Sequence, residues 1–202
     1  MSEVPPHDAE ETVTFEEDVT SPVAKAHSRT RLVAEWAVLV IVAVVISLLV
    51  RSYGFQTFYI PSASMVPTLQ IGDRIVVDKL SVEFGTINRG DIVVFKAPPT
   101  ENCGPPKVTD LVKRVIGLPG DHLTSKGNTI YVNGVALKEN WPHTEPLGSP
   151  IGNVTVPPNR YFMMGDNHLI SCDSRSWGTV ARSAIIGKAF VRIWPLSRVG
   201  SI

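Results

Sequence analysis

The chain has 202 residues, with 19 lysines and arginines against 19 aspartates and glutamates, and its formal net charge is zero. Nucleic-acid binding calls for a basic surplus, so no nucleic-acid partner is expected. Apolar residues make up 44% of the chain, and 16 prolines with 15 glycines interrupt it too often for a helical bundle, which favours short strands and turns.

Residues 1–31 open acidic (DAEETVTFEED) and end basic at Lys25, Arg29 and Arg31. Apolar residues are sparse there and show no period, which predicts a disordered tail. Residues 32–50, LVAEWAVLVIVAVVISLLV, are long and apolar enough to cross a bilayer as a helix. Glu35 and Trp36 stand near its start, where the headgroup region accepts both. A cleaved signal peptide is the alternative, and Ser52-Tyr53-Gly54 offers it a small-x-small triplet. Such peptides have apolar runs of about 7–15 residues and short leading segments, so a permanent anchor is the expectation. The basic residues before the span put the tail in the cytoplasm and residues 51–202 outside, in a single-pass cell-membrane protein.

From Phe55 onward the pattern has period two. GDRIVVDKL, GDIVVFKAP, LVKRVIGL and NTIYVNGVAL are β-branched runs bounded by Gly, Pro, Asn and Asp. Asn133-Gly134 between apolar runs predicts a hairpin. RYFMMGDN and AIIGKAFVRIW follow Pro157 and Pro158. The expected fold is mainly β: a partly closed, barrel-like antiparallel domain, with residues of about 122–158 as a small inserted β subdomain. Cys103 and Cys172 have no zinc-type spacing. Outside the cytoplasm they could pair as a disulfide, and the sequence alone leaves that open.

Three segments could carry chemistry. In YIPSASMVPTL, Ser62 and Ser64 stand one residue apart between Pro61 and Pro67. A serine hydroxyl is a poor nucleophile until a base takes its proton. Of the five histidines, His7 and His27 lie in the tail and His122 and His143 in turn-like sequence; only His168 lies in a motif-like block. Lys113 is the other candidate base. Period two places it on one strand face with Leu111 and Val115, and burial there lowers an ammonium's pKa. A free lysine near 10.4 is useless as a base at neutral pH, so its pKa must fall to about 8. Arg114 then points to the opposite face, where solvation is easier. The third segment, GDNHLISCDSRSWG, is rich in small polar groups, and Asp173 can pair with Arg175. Taken singly, each segment also reads as a rigid linker, an edge-strand lysine or an ordinary polar loop.

Taken together, PSASMVPTL, IGDRIVVDK, LVKRVIGLPGD and GDNHLISCDSR resemble the successive motif blocks of bacterial type I signal peptidases, over roughly Phe58 to Pro195. The resemblance implies a membrane serine endopeptidase with a Ser/Lys dyad. It would remove signal peptides from secretory preproteins at A-x-A-like sites through an acyl-enzyme, with no metal or organic cofactor. It implies Ser64 as nucleophile and Lys113 as general base. It gives Ser62 a place in the oxyanion hole with the Ser64 N–H, and has Ser171 hydrogen-bond the lysine. Asp173 with Arg175 matches a supporting ion pair, and Gly165, Asp166 and Asn167 match the opening of that block. Two positions depart from the pattern: His168 stands where the family commonly has arginine, and Cys172 where it has a small residue. His168 keeps a Ser–His reading open. Self-cleaving repressor proteases with the same dyad, and a catalytically dead β module that binds exported proteins or envelope polymers, are the competing readings. The span and the acidic tail argue against the first, and the presence of both Ser64 and Lys113 against the second.

Overall fold

The computed structural model describes residues 23–104 and 109–202. The disordered tail expected over residues 1–31 lies outside the described residues as far as 22. From Val23 onward the chain is helical instead: α1 spans Val23–Tyr53. Alanine, lysine and arginine between Val23 and Arg31 favour helix, and no proline interrupts the chain from there to Pro61, so the helix starts before the apolar run. Within it Arg29–Leu48 is long and apolar enough to cross a membrane, and none of that stretch is buried. The chain divides into two compact units, residues 1–45 and 46–202.

The second unit is built from antiparallel strands. In chain order they are β1 (Phe55–Tyr59), β2 (Arg74–Asp78), β3 (Ile92–Lys96) and β4 (Asp110–Gly117), then β5 (His122–Lys126), β6 (Thr129–Val132), β7 (Val135–Ala136) and β8 (Val154–Thr155), and finally β9 (Arg160–Met164), β10 (Val180–Ala181), β11 (Ile185–Trp194) and β12 (Gly200–Ser201). The larger sheet runs β1-β2-β11-β3-β4-β9-β10, with β12 added to β11, and it is not closed into a barrel. The strands between His122 and Thr155 form their own sheet in the order β7-β6-β5-β8. Asn133 and Gly134 take φ of 53° and 81° between β6 and β7, the left-handed pair that a two-residue hairpin turn needs.

Alternation along the strands fills three packed clusters. Val93, Phe95, Val115, Met163 and Trp177 form one. Ile116, Leu123, Ile130, Phe162 and Met164 join the two sheets in another. Ile60, Met65, Leu69, Ile75 and Val94 form the third, under the turn that carries Ser64. Beyond α1 the described helices are short: α2 (Leu80–Glu83) and α3 (Ser174–Trp177) have four residues each.

Candidate active site

The Ser62–Ser64 segment sits in a loop whose ends are pinned. The Ile60 N–H donates to Asp73 O at 2.9 Å, and Leu69 N–H to Met65 O at 2.8 Å. Ile60, Met65 and Leu69 are buried in the cluster below, so the apolar residues turn inward and leave the serines facing a cleft. The segment is not one extended piece. Ser62 is extended, while Ala63–Met65 closes a 3₁₀ turn, because Met65 has to reach the core. The two hydroxyls still come within 3.3 Å of one another.

Lys113 arrives from β4, which pairs with β3 in the register Lys113↔Val93. Its neighbours at i±2, Leu111 and Val115, pack in one cluster, and Lys113 itself is 3% exposed. Its Nζ donates to Ser64 Oγ at 2.6 Å. Burial pushes the Lys113 ammonium down from its ordinary 10.5 to about 8; the Asp173 and Asp166 carboxylates oppose that fall and the Arg175 guanidinium adds to it.

Arg114 does not point to solvent as its strand face suggested. It is 6% exposed, and its Nε and Nη2 each donate to Asp166 at 2.7 Å. Its Nη1 donates to Gly90 O at 2.7 Å, and its guanidinium lies 5.1 Å over the Trp141 ring. The opposite strand face is therefore covered too, by a residue of the second sheet's connections and by the 165–175 block.

That block is fixed by carboxylates. Asp173, fully buried, caps α3, pairs with Arg175 at 2.8 Å and accepts the Gly165 N–H at 3.1 Å. Arg175 also reaches the Leu147 carbonyl. Thr68 Oγ donates to Asp166, tying the block to the Ser64 loop. Asn167 N–H donates to Ser64 O at 3.0 Å. Ser171 Oγ lies over Gly165, buried, and makes no hydrogen bond among the described residues. Lys113 makes its bond to Ser64 and none to Ser171 in this structure.

Gly165 is the closest approach between the two segments. A Cβ there would overlap the Ser64 carbonyl oxygen and the Ser171 hydroxyl. The first of these is backbone and cannot swing away, so Gly165→Ala should displace the Ser64 turn. We expect any catalysis that depends on Ser64 to slow by about 10²-fold, the scale of a 1 Å misplacement of a reacting group. Circular dichroism should stay unchanged, and steady-state kinetics checks the loss.

His168 is buried and turned away from the serines. Its Nε2 lies 3.4 Å from Glu139 Oε1, and its ring stacks on His143 with centroids 5.2 Å apart. His122 contacts Thr155 on the second sheet. Cys103 and Cys172 are bonded to one another, with Cα atoms 6.0 Å apart, which ties the β3–β4 connection to the 165–175 block. Glu101 carries a carboxylate beside that sulfur pair, but both sulfurs are committed to the disulfide, so the three do not make a metal ligand set. A cleft of about 260 Å³ opens beside Ser64 and Lys113, which line it together with Phe58, Ile60, Val94, Leu111 and Cys172. Thr68, Trp141 and Glu139 carry no motif in the sequence, and each meets a partner far along the chain.

A family model described as "Signal peptidase, peptidase S26" matches residues 33–194. A protein named probable signal peptidase I-2 from Synechocystis is 42% identical over 161 residues, covering 79% of this chain and 72% of that one. A signal peptidase I from Mycobacterium tuberculosis is 38% identical over 221 residues, covering 83% of this chain and 74% of the relative. The solved structure of a signal peptidase I from Enterococcus faecalis is 30% identical, with a TM-score of 0.41 over 51% of this chain and 96% of that one. The span of the family match and the identity shared with relatives covered over most of their length establish that this chain belongs to the peptidase S26 family of signal peptidases.

Proposed function

We propose that the chain is a membrane-anchored endopeptidase that cuts signal peptides from exported preproteins, with Ser64 as nucleophile and neutral Lys113 as general base. One observation carries the mechanism: a buried lysine, lowered to about 8, lies 2.6 Å from a serine hydroxyl at the edge of a cleft. Lys113 takes the Ser64 proton as Oγ attacks the scissile carbonyl. The Ser64 N–H and the Ser62 hydroxyl hold the oxyanion; a donor of this kind is typically worth about 10²–10³ in rate. Lys113 then protonates the leaving amine, and water, activated by the same lysine, releases the acyl group. Asp166, Ser171, Asp173 and Arg175 support the geometry around the pair.

The substrate reading follows from the cleft and the anchor. In β4, pairing with β9 begins at Arg114, and among the described residues no strand pairs with the outer edge of Asp110–Lys113, near Ser62 and Ser64. An extended peptide can add there as a strand, with alternate side chains entering the cleft. Ile60, Val94 and Leu111 make the wall of the cleft apolar, which supports small apolar side chains such as alanine at the cleavage site. The apolar helix is the anchor, and the basic residues before it favour a cytoplasmic N-terminus, so the bilayer holds residues 51–202 beside emerging signal peptides.

The test uses the full chain in detergent with a labelled preprotein carrying an A-x-A site, and a second preprotein with phenylalanine in place of both alanines. Cleavage after the A-x-A site and none in the second substrate is expected. Equal cleavage of both would overturn the small-residue specificity.

A further inference from the structure

Ser64 is flanked by two peptide groups, and one residue holds both. The Asn167 N–H donates to Ser64 O at 3.0 Å, and its side-chain Nδ2 donates to Ala63 O at 3.3 Å. The Ala63–Ser64 peptide is trans, so its carbonyl and its N–H point in opposite directions. Fixing Ala63 O from one side therefore aims the Ser64 N–H the other way. That N–H is the backbone donor of the oxyanion site in the reading above, on which this inference rests.

The orientation of the Asn167 amide is itself set from the connection between β7 and β8. Thr144 Oγ1 donates to Asn167 Oδ1 at 3.1 Å, which leaves the Nδ2 end facing Ala63. The same oxygen accepts the His168 N–H at 3.1 Å, and Thr144 N–H donates to Asp166 O at 2.8 Å. Thr144 thus spends its hydroxyl and its amide on residues 166–168, and its only route to Ser64 in these contacts runs through that block. We propose that Asn167 is a positioning residue for the oxyanion donor, and that Thr144 acts through it by locking the amide. Thr144, 23 positions before Asn167, carries no motif of its own, yet it closes the chain Thr144–Asn167–Ala63–Ser64.

The experiment measures kcat and KM of the full chain in detergent on the A-x-A preprotein. Wild type is compared with Asn167→Ala, Thr144→Val, Thr144→Ser, the Asn167→Ala/Thr144→Val double variant, and Ser64→Ala. Asn167→Ala should lower kcat by about tenfold to a hundredfold, somewhat less than outright loss of an oxyanion donor, with KM little changed. Thr144→Val should lower kcat several-fold, and Thr144→Ser should restore it. In the Asn167→Ala background Thr144→Val should add almost nothing, because the two act in series. The pH limb set by Lys113 should stay where it is in every active variant, since the base is untouched.

Wild-type kcat in Asn167→Ala, a rise in KM at constant kcat, or additive losses in the double variant would each overturn the proposal. Should Asn167→Ala fail to fold, the Val and Ser variants at Thr144 still decide it: equal kcat in both contradicts the role. Cleavage surviving Ser64→Ala would sink the dyad reading itself, whereas an inactive Ser64→Ala beside a fully active Asn167→Ala sinks the positioning role alone.

Discussion

Lys113→Met should abolish preprotein cleavage and, below pH 8, make the folded chain more stable. The first half follows from the mechanism. Without a base 2.6 Å away, the Ser64 hydroxyl keeps its proton, and losing one member of a catalytic unit costs on the order of 10⁴–10⁶ in kcat. Ser64→Ala should lose as much, and the double variant no more, since the two groups act as one. His168→Ala should retain cleavage, because that ring is engaged with Glu139 and His143. The second half follows from linkage. Below pH 8 the ammonium is charged in both folded and unfolded chains, and the folded state bears its desolvation. A fall from 10.5 to about 8 corresponds to about 3 kcal/mol. Between these values the unfolded chain holds more protons, so wild-type stability rises with pH through that window and levels off above it. Lys113→Met removes the penalty, so its advantage should be greatest at pH 6–7 and vanish by about pH 10.5. Denaturant unfolding of the two proteins at pH 6.5 and pH 10.5 checks it.

The buried Arg114–Asp166 pair gives the largest expected loss of stability. Their side chains are 7% and 1% exposed, and two bonds of 2.7 Å join them. Removing Arg114 alone, as in Arg114→Met, leaves the Asp166 carboxylate buried without its guanidinium partner, still hydrogen-bonded by Thr68. Breaking such a pair from one side costs about 3–5 kcal/mol. Replacing both, as in Arg114→Met/Asp166→Leu, should recover much of that stability, because no charge is then stranded. Activity should not recover with it. Asp166 lies between Gly165, which faces Ser64 O, and Asn167, which bonds to it, and the carboxylate tie to Thr68 would be gone. Denaturation midpoints beside kcat for the two variants separate the two effects.

The features legible in the sequence are those that local pattern dictates. Period two between Leu111 and Val115 located Lys113 on an apolar face, and the structure buries it there. Asn133-Gly134 formed its hairpin because no other pair adopts two positive φ values so readily. Phe55–Tyr59 follows the period-two pattern that starts at Phe55 and pairs with β2 along its whole length. His122–Lys126 was not read as a strand, since Leu123 is its one apolar residue; the partner strands β6 and β8 supply what its own pattern lacks. Arg114 read as solvated because its cover comes from far along the chain: Asp166 is 52 residues away, and Trp141 belongs to the connection after β7. The prolines at 61 and 67 frame Ser64 but do not announce its turn, which burial of Met65 and Leu69 draws the chain into. Long-range closure of this kind leaves no periodic trace, which is why the strand that carries Lys113 was visible and the brace around Ser64 was not.

The dependence of kcat/KM on pH tests the Ser64–Lys113 account most directly, because this ratio reports groups of the free enzyme. For the full chain in detergent with the A-x-A preprotein below KM, it should rise tenfold per pH unit at low pH and level off through a limb near 8, the value to which burial lowers Lys113. His168→Ala should leave that limb in place. A limb that disappears in His168→Ala, or substantial cleavage by Lys113→Met, would contradict the assignment of Lys113 as the base.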